Sequence, residues 1–182
     1  MLRAGAVWDV IYEHPSYFTS GSLELLLGRA GLRVLDQGAS FGGQYLWAEA
    51  VLNGRDESAG APGEDEGLGD FVEPFGRTFE EKVAAWDERL GAFGGEAALW
   101  GAGSKGVTFA TSVPNAATLP HVIDLNTRKH GRHVPVTGQA VERPEVLADS
   151  PVDSVVALNP LYEAEIAGQL AELGVDAEVL VA

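Results

Sequence analysis

The segment Gly101-Ala102-Gly103-Ser104-Lys105-Gly106 directly follows a short apolar run, residues 97–100. Glycine lets the backbone approach an anion closely, and the amides at a helix start direct a partial positive charge at it. Lys105 adds a full charge at the same place. Phosphate carried on a nucleotide is therefore the first ligand class to consider. A tight strand-to-helix turn with an exposed lysine is the alternative explanation.

Two known phosphate-binding motifs serve as tests of this loop. Gly101 and Gly103 fit the opening of a dinucleotide fingerprint, whereas Gly106 is interpreted as coming too early to be its third glycine. Lys105 is not followed by the Ser or Thr of a Walker loop. The six residues by themselves do not distinguish a phosphate-binding loop from a tight turn in which the glycines only allow close packing.

A second group of reactive residue types is Tyr12-Glu13-His14, which follows the predicted strand 6–11. Strand ends are where α/β enzymes place reactive side chains. A histidine there can move a proton near neutral pH, and an adjacent carboxylate can orient its ring. The alternative is a polar strand terminus with packed aromatic residues.

A third group surrounds Asp124, which ends the predicted strand 121–124 and could accept hydrogen bonds from ribose or sugar hydroxyls. A basic cluster follows it in an otherwise acidic chain, and it could focus a phosphorylated ligand. A turn with solvated charges is the alternative. No ligand spacing supports a metal site. The cluster comprises Lys129, His130, Arg132 and His133.

Composition excludes several functions. The net charge of −15 over 182 residues argues against a nucleic-acid partner. No apolar run approaches a membrane span and no basic-then-apolar leader opens the chain, so we expect a cytoplasmic protein. The absence of cysteine suits a reducing compartment.

An acidic, glycine-rich stretch at 54–74 is interpreted as a solvated linker between two regions. Before it, residues 1–53 predict a strand at 6–11, a helix at about 23–30, and two strands around a turn. After it, 75–182 predict a long helix beginning at Thr78, and then alternating strands and helices. That alternation predicts an α/β fold with a Rossmann-like parallel sheet covered by helices.

The stretch Val34-Leu35-Asp36-Gln37-Gly38-Ala39-Ser40-Phe41-Gly42 is similar to the glycine-rich first motif of S-adenosylmethionine (SAM) methyltransferases. In that motif the loop opens a helix, whereas the following residues 44–48 alternate as a strand does. We therefore favour a hairpin turn over a cofactor loop.

Five segments, in order, resemble the C-terminal part of the SAM-dependent sugar C-methyltransferases, whose last domain is the C-methyltransferase C-terminal domain. Together the segments span nearly all of the chain. They are IYEHPSYFTSGSLELLLGRAGL, FGGQYLW, LWGAGSKG, VIDLNTRKHGRHVPVTG and LNPLYEAEI.

The resemblance implies a nucleotide-linked keto sugar as substrate. It implies that His14, paired with Glu13, is the general base that removes the proton beside the ketone, while Tyr12 matches the family's tyrosine only after a one-residue shift. The nucleotide-sugar side would be formed by the glycine loop (Gly101, Gly103, Lys105, Gly106) and by Asp124, Asn126, Lys129 and Arg132.

The family's SAM-binding glycine loop and zinc-binding cysteine cluster have no counterpart in this sequence. Residues 1–53 would be only the closing strand, helix and hairpin of a SAM domain. We therefore expect no SAM binding or methylation by this chain alone, and association with a complementary SAM-domain chain or a missing N-terminal region. The alternatives are a non-catalytic interaction module and an NAD(P)-binding oxidoreductase domain. The oxidoreductase is less favoured because the glycines are interpreted as too closely spaced and because the loop contains a lysine.

Overall fold

The computed structural model describes residues 1–52 and 67–182. The chain forms two compact units. The N-terminal unit comprises Met1–Ala4 and Glu13–Phe75, and the C-terminal unit comprises Gly5–Tyr12 and Gly76–Ala182. Among the described residues, no helix has both the length and the apolar character needed to cross a membrane.

The N-terminal unit contains one α-helix and one β-hairpin, as the sequence predicted. Helix α1 (Ser20–Arg29) begins at a reciprocal capping box in which Thr19 and Ser22 each bond the other's backbone amide. Strands β1 (Leu32–Ser40) and β2 (Tyr45–Leu52) pair antiparallel. This unit also contains short 3₁₀ helices at Leu2–Ala4 and Leu68–Phe71, and the first residues of the helix that begins at Val72.

The predicted strand at 6–11 is wrong. Val7–Asp9 forms a 3₁₀ turn that belongs to the C-terminal unit, and both Val7 and Trp8 are buried. The Trp8 ring lies 5.0 Å from Phe109, centroid to centroid. The apolar run that suggested a strand therefore buries its side chains against a helix instead of pairing with a sheet.

The long helix after the predicted linker begins earlier than expected. Helix α2 runs over Val72–Ala92, so Thr78 lies within it and does not cap it. Residues 54–66 of the predicted linker lie outside the described residues, while 67–74 hold a turn, a 3₁₀ helix and the start of α2.

The C-terminal unit is built on a five-stranded parallel sheet with the order β5-β4-β3-β6-β7. This confirms the predicted α/β, Rossmann-like fold. The two-residue strand β5 was not predicted. The strands are β3 (Ala97–Trp100), β4 (His121–Ile123), β5 (Val141–Glu142), β6 (Ser154–Ala157) and β7 (Glu178–Val181), and the helices after α2 are α3 (Ser104–Ser112), α4 (Val146–Asp149) and α5 (Glu163–Glu172).

The strand order determines where a ligand crevice lies. From β3 the chain steps to β4 and β5 on one side, then returns to place β6 and β7 on the other side. Ligands of open parallel sheets bind beyond the carboxyl ends of the strands, at the point where the order reverses. In this sheet that point is the carboxyl end of β3, where the glycine loop begins.

The sheet is buried on both faces, since every residue of β3 and β6 is buried. One face packs against α5 through Ile166 and Leu170. An aromatic cluster lies in the same unit, where the Phe109 ring of α3 contacts the rings of Trp8 and Trp86 edge to face. This packing fixes the start of α3, and with it the glycine loop.

Candidate nucleotide-binding site

The glycine loop makes a sharp turn from β3 into α3. Gly101 has a φ of +112°, a conformation that residues with a Cβ rarely adopt, and its amide donates to the Ile123 carbonyl at 2.7 Å. Gly106 is buried, and a Cβ placed on it would overlap the Gly101 carbonyl oxygen. Both glycines are therefore required by the turn itself.

This close approach corrects the sequence analysis. Gly101, Gly103 and Gly106 do stand at the spacing G-x-G-x-x-G, and Gly106 performs the role of the third glycine, which is close packing of the helix on the strand. The spacing alone was sufficient to identify it.

The middle of the loop is open. Gly103 is the N-cap of α3 with a φ of −85°, and a Cβ placed on it would meet no heavy atom within 4 Å. Gly103 and Ser104 are both exposed. The first amides of this nine-residue helix therefore lie at a solvent-accessible turn, where a helix start favours negative charge.

Asp124 connects the glycine loop to the loop after β4. Its Oδ2 accepts from the Ala102 amide and from Lys129 Nζ, each at 2.8 Å, and its Oδ1 accepts from the Asn126 amide at 2.8 Å. Lys129 Nζ also donates to the Ala102 carbonyl at 3.1 Å. The predicted neighbours Asp124 and Lys129 thus meet the glycine loop directly, and we name this group the Asp124–Lys129 clamp.

Two opposing influences set the charge state of Asp124. Burial has the largest effect and by itself raises the pKa. The hydrogen bonds from Lys129 and from the amides of Asn126 and Ala102, together with the lysine charge, outweigh it and bring the pKa of Asp124 below 3.8. The carboxylate is therefore ionised at neutral pH, and its oxygens bind protein donors.

The remaining predicted residues of this loop lie on the surface. Asn126 and Arg132 are exposed, and Asn126 Oδ1 accepts from the Arg128 amide at 3.1 Å. His130 Nε2 lies 2.7 Å from the Asp124 carbonyl oxygen. Lys129 and His130 thus fix the loop after β4, whereas Arg132 leaves its charge exposed to solvent.

Lys105 pairs with the N-terminal segment of the same unit. Its Nζ lies 2.9 Å from Asp9 Oδ1, with each side chain about a quarter exposed. Thr108 Oγ1 donates to the Val10 carbonyl at 3.2 Å. Because Tyr12 comes three residues after Asp9, these contacts anchor the segment leading to Tyr12 on α3.

Tyr12, Glu13 and His14 lie at an exposed turn, and Tyr12 is 95% exposed. One of the boundaries between the two units falls between Tyr12 and Glu13. The His14 ring lies 6.0 Å from the Tyr17 ring, centroid to centroid. The proton-transfer role predicted for the Glu-His pair stays a prediction.

The SAM-like glycine motif does not form a cofactor loop. Residues 36–40 lie within β1, and the turn that follows leads into β2, so the hairpin interpretation is confirmed. Gly38 lies beneath the Trp47 ring of the partner strand. The described residues of this motif therefore do not fit SAM. No cluster of three or more His, Asp or Glu residues placed to hold a metal occurs in the described ranges.

One polar residue at this edge of the sheet was not singled out from the sequence. Asn159 follows the buried strand β6, and its Oδ1 accepts from the Leu161 amide at 3.1 Å. A polar residue directly after a buried apolar run was the available signal.

The sequence matches a known protein family. The model of the C-methyltransferase C-terminal domain family matches residues 68–181, which is more than half of the chain. The chain therefore belongs to the C-methyltransferase C-terminal domain family. No curated protein matches it significantly.

Proposed function

We propose that this chain is the nucleotide-sugar-binding portion of a SAM-dependent sugar C-methyltransferase. The observation that carries the proposal is the Asp124–Lys129 clamp, which brings a cationic loop onto an open glycine turn at the switch point of a parallel sheet. The family membership supports the same assignment.

In this proposal the diphosphate lies against the start of α3. The open backbone at Gly103 admits a phosphate, and the helix start and Lys105 attract it. The exposed charge of Arg132 draws the anionic ligand toward this end of an acidic protein. Asn126 is exposed on the same loop, where its amide group can donate to sugar hydroxyls.

The chemistry proposed for the Glu-His pair rests on the family resemblance. His14 would accept the proton from the carbon beside a sugar ketone, and Glu13 would hold the imidazole and stabilise its charged form. The exposure of both residues is compatible with access by a substrate. A His14→Gln variant should retain nucleotide-sugar binding and lose exchange of that proton with deuterated water, measured by NMR on a complete enzyme.

SAM belongs to the complete enzyme in this proposal and is held by residues other than the described ones. The chain alone does not methylate, and a complementary SAM domain is its partner. The lack of cysteine suits a reducing compartment, and we propose the cytoplasm.

Calorimetry with thymidine- or uridine-diphosphate sugars tests the binding claim. We expect a dissociation constant below about 1 mM, in the range of ordinary substrate affinities, and weaker binding when Lys105 is replaced by Met. The proposed site would be contradicted if the folded chain gave no heat of binding, or if Lys105→Met left the binding unchanged.

An NAD(P)-binding domain is the second candidate, favoured by the complete G-x-G-x-x-G spacing. Asp124 even stands where such sites carry the acid that binds the ribose. However, its carboxylate accepts from Ala102, Asn126 and Lys129, so it is poorly placed to accept from a ribose. Titration with NADH, followed by fluorescence, distinguishes an NAD(P)-binding domain from a nucleotide-sugar-binding one. Saturable NADH binding that is tighter than the binding of nucleotide sugars would favour the NAD(P)-binding domain.

An interaction module is the third candidate. The hairpin exposes Leu35, Tyr45, Leu46 and Trp47, each by more than 40%. An apolar surface of this kind is typical of a binding face. Co-purification with a SAM-domain chain that is unaffected by His14→Ala but lost on Trp47→Ser would support a purely interacting role.

A further inference from the structure

Three side chains of the C-terminal unit form a hydrogen-bonded chain apart from the glycine loop. His121 Nδ1 lies 2.7 Å from Glu142 Oε2, and His121 Nε2 lies 3.0 Å from Ser150 Oγ. His121 is the first residue of β4, at the opposite end of that strand from Asp124. The group therefore shares no residue with the proposed nucleotide site.

The chemistry of the three groups determines the direction of the hydrogen bonds. An ionised carboxylate only accepts, so Glu142 requires the proton of the neutral imidazole to be on Nδ1. Nε2 is then an acceptor, and the Ser150 hydroxyl donates to it. This is the tautomer in which a histidine can take the proton of a serine that attacks an electrophile.

Burial separates the roles of the three residues. The His121 side chain is 11% exposed and the Glu142 side chain 32% exposed, whereas Ser150 is an exposed residue. Ser150 follows α4 directly, and its amide donates to the Val146 carbonyl at 2.9 Å, which holds it against the strand pair β4–β5. The base is thus largely shielded from water, whereas the hydroxyl belongs to an exposed residue.

We propose that Ser150 is an activated nucleophile that accepts acyl groups from small esters, with His121 as general base and Glu142 as positioning residue. Ser150 Oγ forms a bond to the ester carbonyl carbon as its proton moves to His121 Nε2. The bond to the alcohol breaks, and the alcohol leaves with that proton. Water then hydrolyses the acyl-serine by the same proton transfers, which restores the hydroxyl and releases the acid.

The test uses the full chain with p-nitrophenyl acetate, and a fluorophosphonate probe whose adducts are mapped by mass spectrometry. In the probe reaction the Ser150 oxygen replaces fluoride on phosphorus, and fluoride leaves. We expect Ser150 to react about a hundredfold faster than Ser16, an exposed serine that serves as the internal comparison, since general base catalysis contributes about 10²–10⁴-fold.

Variants separate activation from structure. Ser150→Ala should abolish the fast labelling and the ester hydrolysis, while Ser16→Ala should leave the labelling of Ser150 and the hydrolysis unchanged. His121→Gln should reduce the Ser150 rate to that of Ser16. If His121→Gln fails to fold, Glu142→Gln provides the test, because its amide can donate to Nδ1 and reverse the tautomer, which the ¹⁵N shifts of the His121 ring report.

The expected result for Glu142→Gln is a loss of at least tenfold in the Ser150 rate together with that tautomer change. Equal labelling of Ser150 and Ser16 in the folded parent chain would overturn the proposal. An unchanged Ser150 rate in His121→Gln or Glu142→Gln would overturn it as well. Nucleotide binding is not part of any of these measurements, so the outcome is independent of the proposed function.

Discussion

The hairpin of the N-terminal unit and the parallel sheet of the C-terminal unit are both regular β-structures, yet they differ in what covers them. Trp47 on the hairpin is 42% exposed, whereas Trp8, which packs in the C-terminal unit, is 4% exposed. Every residue of β3 and β6 is buried, while no residue of β1 or β2 is. Strand pairing therefore forms the hairpin without burying any of its residues. In the parallel sheet, burial on both faces also holds in place the loops that follow the strands.

The largest expected effect comes from one substitution made in both regions. Trp8→Ala removes a buried ring that contacts Phe79 and Phe109, and should lower the free energy of unfolding by about 3–5 kcal/mol. Trp47→Ala should cost about 1 kcal/mol or less, because its ring is already partly solvated. Denaturant unfolding followed by circular dichroism measures both. Equal losses would contradict the difference between the regions.

Two glycines of the same loop provide a second contrast. Gly106→Ala should lower the free energy of unfolding by about 2–4 kcal/mol and abolish nucleotide-sugar binding, because its Cβ would overlap the Gly101 carbonyl. Gly103→Ala is the matched control, since its site is open and its φ is negative. That control should change the stability by less than about 1 kcal/mol. Thermal unfolding measures the stability of both variants, and calorimetry measures ligand binding by Gly106→Ala. Equal losses of stability in the two variants would contradict the role of Gly106 in the turn.

Acid stability tests the Asp124–Lys129 clamp. The pKa of Asp124 is depressed in the folded chain, so its contribution is complete above the unfolded pKa and is lost as the pH falls through the folded pKa, below 3.8. Asp124→Asn should cost about 2–3 kcal/mol at pH 7 and make stability less dependent on pH in the acid range. Unfolding at a series of pH values measures this. If the stability of Asp124→Asn falls with pH in the same way as that of the parent, Asp124 is not the group responsible for the loss of stability in acid.

The smallest expected effect concerns the ion pair of Lys105 with Asp9. Because both side chains are about a quarter exposed, breaking the pair should change stability by less than about 1 kcal/mol. Lys105→Met should still weaken nucleotide-sugar binding about tenfold, as expected for a lost charge-assisted contact. Asp9→Asn keeps the lysine and should bind at least as tightly as the parent in calorimetry. If Asp9→Asn binds the nucleotide sugar more weakly than the parent, binding depends on the ion pair and not on the lysine charge alone.

The sequence predicted the C-terminal sheet well because its strands are short apolar runs followed by glycine or polar residues. The apolar run 97–100 coincides with β3, and the predicted strand 121–124 extends one residue beyond β4. The strand predicted at 6–11 failed because an apolar run does not reveal whether it pairs in a sheet or packs on a helix. Strand β5 was missed because two residues carry no periodic pattern.

The candidate site was predictable in its members but not in its contacts. Gly101 and Asp124 were recognised from their place at strand ends, and Lys129 as a member of the basic cluster that follows Asp124. The Asp124 carboxylate accepts hydrogen bonds from Ala102 and Lys129 and thereby stabilises the loop. These contacts could not be predicted, because they depend on the distance between the ends of two strands. The hydrogen-bonded group His121–Glu142–Ser150 could not be predicted from the sequence for the same reason. Its members come together only because β4 pairs with β5 and because Ser150, which follows α4, lies next to His121.

An amide NMR titration of the full chain with a uridine- or thymidine-diphosphate sugar tests the proposed nucleotide-sugar site directly. We expect saturable shifts of the amides of Ala102 to Lys105 and of the loop around Lys129, with the hairpin amides of β1 and β2 unchanged. Shifts confined to residues away from the glycine loop, or no shifts from a folded chain, would contradict it.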